Sequence, residues 1–104
     1  MSLKKVQKEV DEWMGQWKEG YWKPHEMLAN LMEETGELAR EINHKFGPKK
    51  KKGGENNDRV SEEIADILFS IICIANSQKI DIDESFKKMM NKLYGRDASR
   101  WEKK

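Results

Sequence analysis

The chain has 104 residues, 20 Lys and Arg against 19 Asp and Glu, a formal charge of +1, and 38% charged residues with a mean hydropathy of −0.96. That length bounds it to one domain, residues 1–104, with a modest core. The near-zero net charge argues against a general nucleic-acid binder, and the single cysteine, Cys73, excludes a disulfide framework or a zinc site.

In chain order, Leu3, Val6, Val10, Trp13, Met14 and Trp17 recur at three- and four-residue spacing. This predicts an amphipathic helix from about Ser2, fraying by Gly20. Met1 to Val10 lacks the apolar stretch of a signal peptide, so a cytoplasmic protein is expected. Gly20-Tyr21-Trp22-Lys23-Pro24 breaks the pattern, and Pro24 suits the first turn of a second helix running from about His25 to Phe46. Trp17, Tyr21 and Trp22 flank this break. They either pack down on the bundle or offer a stacking platform for a flat ligand such as a nucleobase.

The second helix carries the most informative stretch. At about 100° per residue, Glu33, Glu34, Glu37 and Glu41 fall on one arc, bordering an apolar arc of Met27, Leu28, Leu31, Leu38, Ile42 and Phe46. Like charges one turn apart weaken a helix by a few tenths of a kcal/mol per pair. Either the face is fully solvated or something offsets the repulsion.

Gly47 to Asp58 follows, with four consecutive lysines (Lys49 to Lys52), glycines and no apolar residue. Residues 47–57 therefore read as a mobile loop that lets the flanking helices fold back as an antiparallel pair. The third helix, from about Asp58 to Ser77, is apolar nearly all round. The exception is a strip of Glu62, Glu63, Asp66, Ser70 and Ser77. So apolar a helix belongs in the middle of a bundle, which predicts that Asp66 is carried inside. Its apolar run is about a dozen residues long and contains Asp66, too short to span a membrane. Asp81 and Glu84 have the spacing of a capping box opening a fourth helix through Phe86, Met89, Met90 and Leu93, ending by Gly95. No strand signal appears, so the fold expected is all-α, four to five helices. One copy cannot easily cover the third helix, which predicts an oligomer.

A divalent cation shared by Glu34, Glu37, Glu63 and Asp66 would relieve both the repulsion on the second helix and the burial of a carboxylate on the third. Four oxygen ligands suit Mg²⁺ first and Mn²⁺ second. Di-iron bundles use Glu-x-x-His pairs, and His25 and His44 lie outside that spacing. An acidic cluster without a nucleophilic Ser, Cys or His points to phosphoryl chemistry on a cation-activated water. No Gly-x-x-x-x-Gly-Lys-Ser/Thr loop is present, so phosphates would be held by metal rather than by a glycine nest.

Glu33-Glu34-x-x-Glu37, followed after 25 intervening residues by Glu63-x-x-Asp66, resembles the signature of the MazG-type nucleoside triphosphate pyrophosphohydrolases. The surrounding Leu31 to Ala39, Glu62 to Leu68, Asn76, the Ile80-Asp81-Ile82 turn, Lys92 and Arg96 extend the likeness over most of the chain, nearest to short single-domain bacterial members. The resemblance implies an all-α helical bundle completed in a homodimer or dimer of dimers. It implies Mg²⁺-dependent hydrolysis of a nucleoside triphosphate to a monophosphate and pyrophosphate, with nucleotide-pool house-cleaning as the role. It assigns metal binding to Glu34, Glu37, Glu63 and Asp66, and a further ligand or water-orienting base to Glu33. Substrate contacts would come from Trp17, Trp22, Asn76, Lys92 and Arg96. The competing readings are a phosphoribosyl-ATP pyrophosphohydrolase and a catalytically idle helical partner protein whose acids bind metal only to hold a dimer.

Overall fold

The computed structural model describes residues 2–47 and 59–104. Nearly all of the expected 47–57 loop lies outside the described residues. Among them are four helices and no strand: α1 (Leu3–Gly15), α2 (Pro24–Phe46), α3 (Val60–Ser77) and α4 (Ile82–Gly95). The all-α expectation holds, with the helices starting and stopping close to where capping and glycine signals put them. None is long and apolar enough to cross a membrane.

Local chemistry explains the boundaries. The Ser2 hydroxyl accepts from the Lys5 N–H, and Pro24 occupies the first turn of α2, where the Glu26 carboxylate accepts from the Lys23 N–H at 3.1 Å. α1 ends at Gly15 rather than fraying to Gly20; residues 16–19 form a turn that closes at Gly20 with φ +66°, a conformation glycine adopts without strain. The Asp81 carboxylate caps α4 by accepting from the Glu84 N–H at 3.3 Å. Glu84 does not return the bond; it pairs with Lys88. Asp83, two residues after that cap, reaches across the molecule and accepts from the Leu3 and Lys4 N–H groups at 3.2 and 3.1 Å. The first turn of α4 thereby satisfies the open donors at the start of α1.

α2 and α3 form the main packed pair; α1 lies against α3, and α4 against α1. The buried apolar core is small: Val10, Met27, Ile72 and Cys73, with Val6, Met14, Tyr21, Ile74 and Ile82 packed around it. α2 keeps only part of its apolar arc toward the bundle, with Met27 buried and Leu31 and Leu38 half-buried. It turns Met27, Asn30, Glu34 and Glu41 inward and leaves Leu28, Met32, Ile42 and Phe46 exposed. α3 behaves alike, burying Glu63 and Ser70 while exposing Ile64, Leu68 and Ile71. The two polar strips thus meet each other. Asp66, expected inside, lies at the exposed edge of that seam.

Candidate active site

The seam between α2 and α3 assembles the site. Glu34 from α2 and Glu63 and Asp66 from α3 each offer a carboxylate oxygen, all within 4.8 Å of one another. The helical periodicity produces this. Glu63 and Asp66 are three residues apart, hence one turn apart on one face, and the packing of α2 on α3 brings Glu34 to them. Glu63 is 4% exposed, and its Oε2 has no hydrogen-bond partner among the described residues. Its other oxygen lies 3.8 Å from the Arg59 guanidinium, which bonds mainly to Glu62 at 2.9 Å. The Glu34 carboxyl is held above its ordinary value by desolvation first, then by repulsion from Asp66 and Glu63.

Three carboxylates in one small volume, one of them buried with an unpartnered oxygen, are a poor arrangement without a counter-charge. A hard divalent cation supplies that charge, and an all-oxygen donor set of this kind is what such a cation takes. The residues present therefore fit a metal ion. Glu37 stands outside the close group, exposed, although its charge adds to the pressure on Glu34. Glu33 is exposed on the neighbouring side of α2.

Beside the carboxylates lies an apolar pocket with a volume of about 170 Å³. Its walls include Trp13, Tyr21, Trp22, Met27, Phe69 and Cys73, and Asn30 and Ser70 complete it. Burial pushes the Cys73 thiol up, so it serves as a buried small hydrophobe. Of the aromatic residues expected to contact substrate, Trp22 lines this pocket. Trp17 does not: it meets Trp13 edge-on at 5.5 Å and faces a separate groove that Trp22 also borders. Trp13, Phe69, Asn30 and Ser70 did not stand out in the sequence as site residues. The available signal was register: Asn30 is one turn before Glu34, and Ser70 one turn after Asp66.

Asn76 is placed in a hydrogen-bonded clasp. Its amide donates to the Gln7 carbonyl and to the Tyr21 hydroxyl, both at 2.9 Å, and its Oδ1 accepts from Gln7 Nε2 at 2.9 Å. The same Gln7 amide donates to the Ile80 carbonyl and accepts from the Ile82 N–H, while Tyr21 donates to Asp11 at 2.7 Å. Burial, helped by the Asp11 bond, raises the Tyr21 hydroxyl to about 12. Both amide N–H groups of Asn76 are thus engaged within the chain. Lys92 and Arg96 lie on and just beyond α4, which packs on α1 rather than forming part of the α2–α3 seam. Arg96 pairs with Asp97 at 3.1 Å.

Comparison with known proteins follows the same lines. A family model for the MazG nucleotide pyrophosphohydrolase domain matches residues 22–101. The uncharacterized protein YpjD of Bacillus subtilis strain 168 is 48% identical over 103 residues, covering 99% of this chain and 93% of that protein. The crystal structure of YpjD superposes with a TM-score of 0.82 at 47% identity, over 89% of this chain and 95% of that one. A Bacillus-conserved MazG protein, a nucleotide pyrophosphohydrolase, superposes at 0.78 with 45% identity, over 89% and 90%. With the family model spanning the acidic seam, and relatives of nearly half-identical sequence sharing the fold, this chain belongs to the MazG nucleotide pyrophosphohydrolase family.

Proposed function

We propose that the protein hydrolyses a nucleoside triphosphate to the monophosphate and pyrophosphate with Mg²⁺, Mn²⁺ serving less well. The observation that carries this reading is the group Glu34, Glu63 and Asp66 with its buried, unpartnered Glu63 oxygen. These three would hold the cation, with Glu37 a fourth ligand on side-chain rotation. When bound, the ion neutralises triphosphate charge and makes water a better nucleophile near neutral pH. Glu33, exposed beside Glu34, is left to complete the ligand set or to orient the attacking water. Water adds to the α-phosphorus as the bond to the bridging α–β oxygen breaks, and pyrophosphate departs.

The aromatic pocket is the site for the base. Trp22 and Trp13 supply faces for stacking, and Trp17 supports Trp13 from behind. Asn76 acts through the clasp that fixes Tyr21 at the pocket wall. Lys92 and Arg96 are substrate-phosphate residues in an assembled homodimer or dimer of dimers, in which α4 of one copy is brought to the seam of another. The function fits house-cleaning of the nucleotide pool.

The test is pyrophosphate release from a panel of ribo- and deoxynucleoside triphosphates, with and without Mg²⁺, beside phosphoribosyl-ATP. Mg²⁺-dependent release from one or more triphosphates is expected. Release from phosphoribosyl-ATP alone would replace the substrate. Silence throughout, with Mg²⁺ still raising the melting temperature, would leave a metal-bound helical protein without this activity.

A further inference from the structure

The seam between α2 and α3 has an order along its length. Met27 and Cys73 share the buried core at the pocket end. Asn30 and Ser70 come next, joined by a hydrogen bond from Asn30 Nδ2 to Ser70 Oγ at 2.9 Å. Glu34, Asp66 and Glu63 follow. Asn30 precedes Glu34 by four residues on α2, and Ser70 follows Asp66 by four on antiparallel α3. The polar pair therefore lies about one helical turn, roughly 5.4 Å, from the carboxylates on both helices. The sequence of chemistries along the seam is apolar and aromatic, then neutral polar, then anionic. A nucleotide has the matching sequence: base, sugar, phosphate.

The pair also has capacity to spare. Ser70 is 4% exposed, and both residues border the pocket. Among the described residues their side chains hydrogen-bond only to each other. The second N–H and the carbonyl of Asn30, and the hydroxyl proton of Ser70, remain for a ligand. The other hydroxyl at the pocket, that of Tyr21, is already engaged with Asp11 and Asn76.

We propose that Asn30 and Ser70 form a sugar subsite, hydrogen-bonding a hydroxyl of the pentose while the base occupies the aromatic pocket and the phosphates lie at the carboxylates. The assignment rests on the proposed nucleotide activity and adds to it a pair of specificity-determining residues. Neither residue touches the reacting phosphorus, so their effect belongs in KM rather than kcat.

The experiment compares the whole protein with Ser70→Ala and Asn30→Ala on three triphosphates of one base: ribo, 2′-deoxy and 2′,3′-dideoxy. Ser70→Ala removes a single oxygen and keeps the chain's packing; melting temperature checks both variants. The expected result is a rise in KM of about tenfold for whichever hydroxyl-bearing sugars the protein accepts, with little change for the dideoxy form. Calorimetric binding of the corresponding monophosphates should show the same split without turnover. An equal loss on all three sugars would make the pair a packing contact and overturn the assignment. Wild-type protein inert on every triphosphate would sink the nucleotide reading itself, and the subsite with it.

Discussion

Asp66 and Glu34 carry different burdens in the same cluster. Asp66 is exposed and costs the fold little, so Asp66→Asn should abolish Mg²⁺-dependent activity while leaving helical content near wild type by circular dichroism. Retained activity above a few per cent would remove it from the site. Glu34 is the strained member: desolvation, Asp66 and Glu63 all disfavour its charge. Its folded-state proton affinity therefore exceeds the unfolded one, and without metal its contribution to stability falls as pH rises from the ordinary carboxylate value through the raised one. Glu34→Gln should accordingly raise the metal-free melting temperature above that range, and abolish any further rise with Mg²⁺. A variant less stable than wild type at neutral pH without metal would mean that the Glu34 charge is already compensated within the chain. Tyr21 has the same sign at the alkaline end. Its hydroxyl keeps its proton to about 12, so stability should fall between roughly pH 10 and 12 as only the unfolded chain ionises.

At the scale of the helices, boundaries were legible because they are local chemistry: Ser2, Pro24, Asp81 and the glycines act within a few residues. The two-part acidic signature was legible too, since spacing of three and four residues fixes a helix face before any packing is known. What could not be read was the direction in which those faces turn. Hydropathy points Leu28, Ile42 and Phe46 inward, yet Phe46 is 72% exposed while Glu63 is 4% exposed. One helix has no preferred side until its neighbours are chosen, and here the chosen contact joins polar strip to polar strip. Contacts between distant segments were hidden for the same reason: Asp83 capping α1, and Gln7 with Asn76 clasping Tyr21. Trp17 shows the consequence. Sequence proximity grouped it with Tyr21 and Trp22, but the turn after Gly15 sets it against Trp13, away from the pocket. Trp22→Ala should therefore raise KM several-fold more than Trp17→Ala, whose effect should reach substrate only through Trp13. Steady-state kinetics on one triphosphate decides it; equal effects would put both rings on the base.

For the whole molecule, what counts is how much apolar surface the helices leave uncovered. The radius of gyration is 17.4 Å, whereas a compact chain of about 100 residues has roughly 13 Å. α4 buries none of its residues and exposes Phe86, Met89 and Leu93; α3 exposes Ile64, Leu68 and Ile71 on one stripe; α2 adds Leu28 and Met32. Large apolar side chains exposed at helical spacing on three helices are the kind of surface that marks a contact with another chain. The small buried core gives the single chain little to offset its conformational entropy. Another copy of the same chain brings the same unpaired faces, which a twofold arrangement can match to each other. Sedimentation equilibrium should therefore find a dimer or a dimer of dimers at micromolar concentration. Leu68→Glu, which puts a charge in the middle of the α3 stripe, should shift that equilibrium toward monomer. It should lower the melting temperature and make it less dependent on protein concentration, because less of the folded chain is then held in the assembly. Tyr94, 74% exposed near the end of α4, provides the contrast. If Tyr94→Ser dissociates the assembly while Leu68→Glu leaves it intact, the contact runs through the end of α4 and the α3 stripe remains open. A wild-type monomer with a single sharp, concentration-independent melting transition would count against assembly altogether. The exposed faces would then have to be accommodated by one chain.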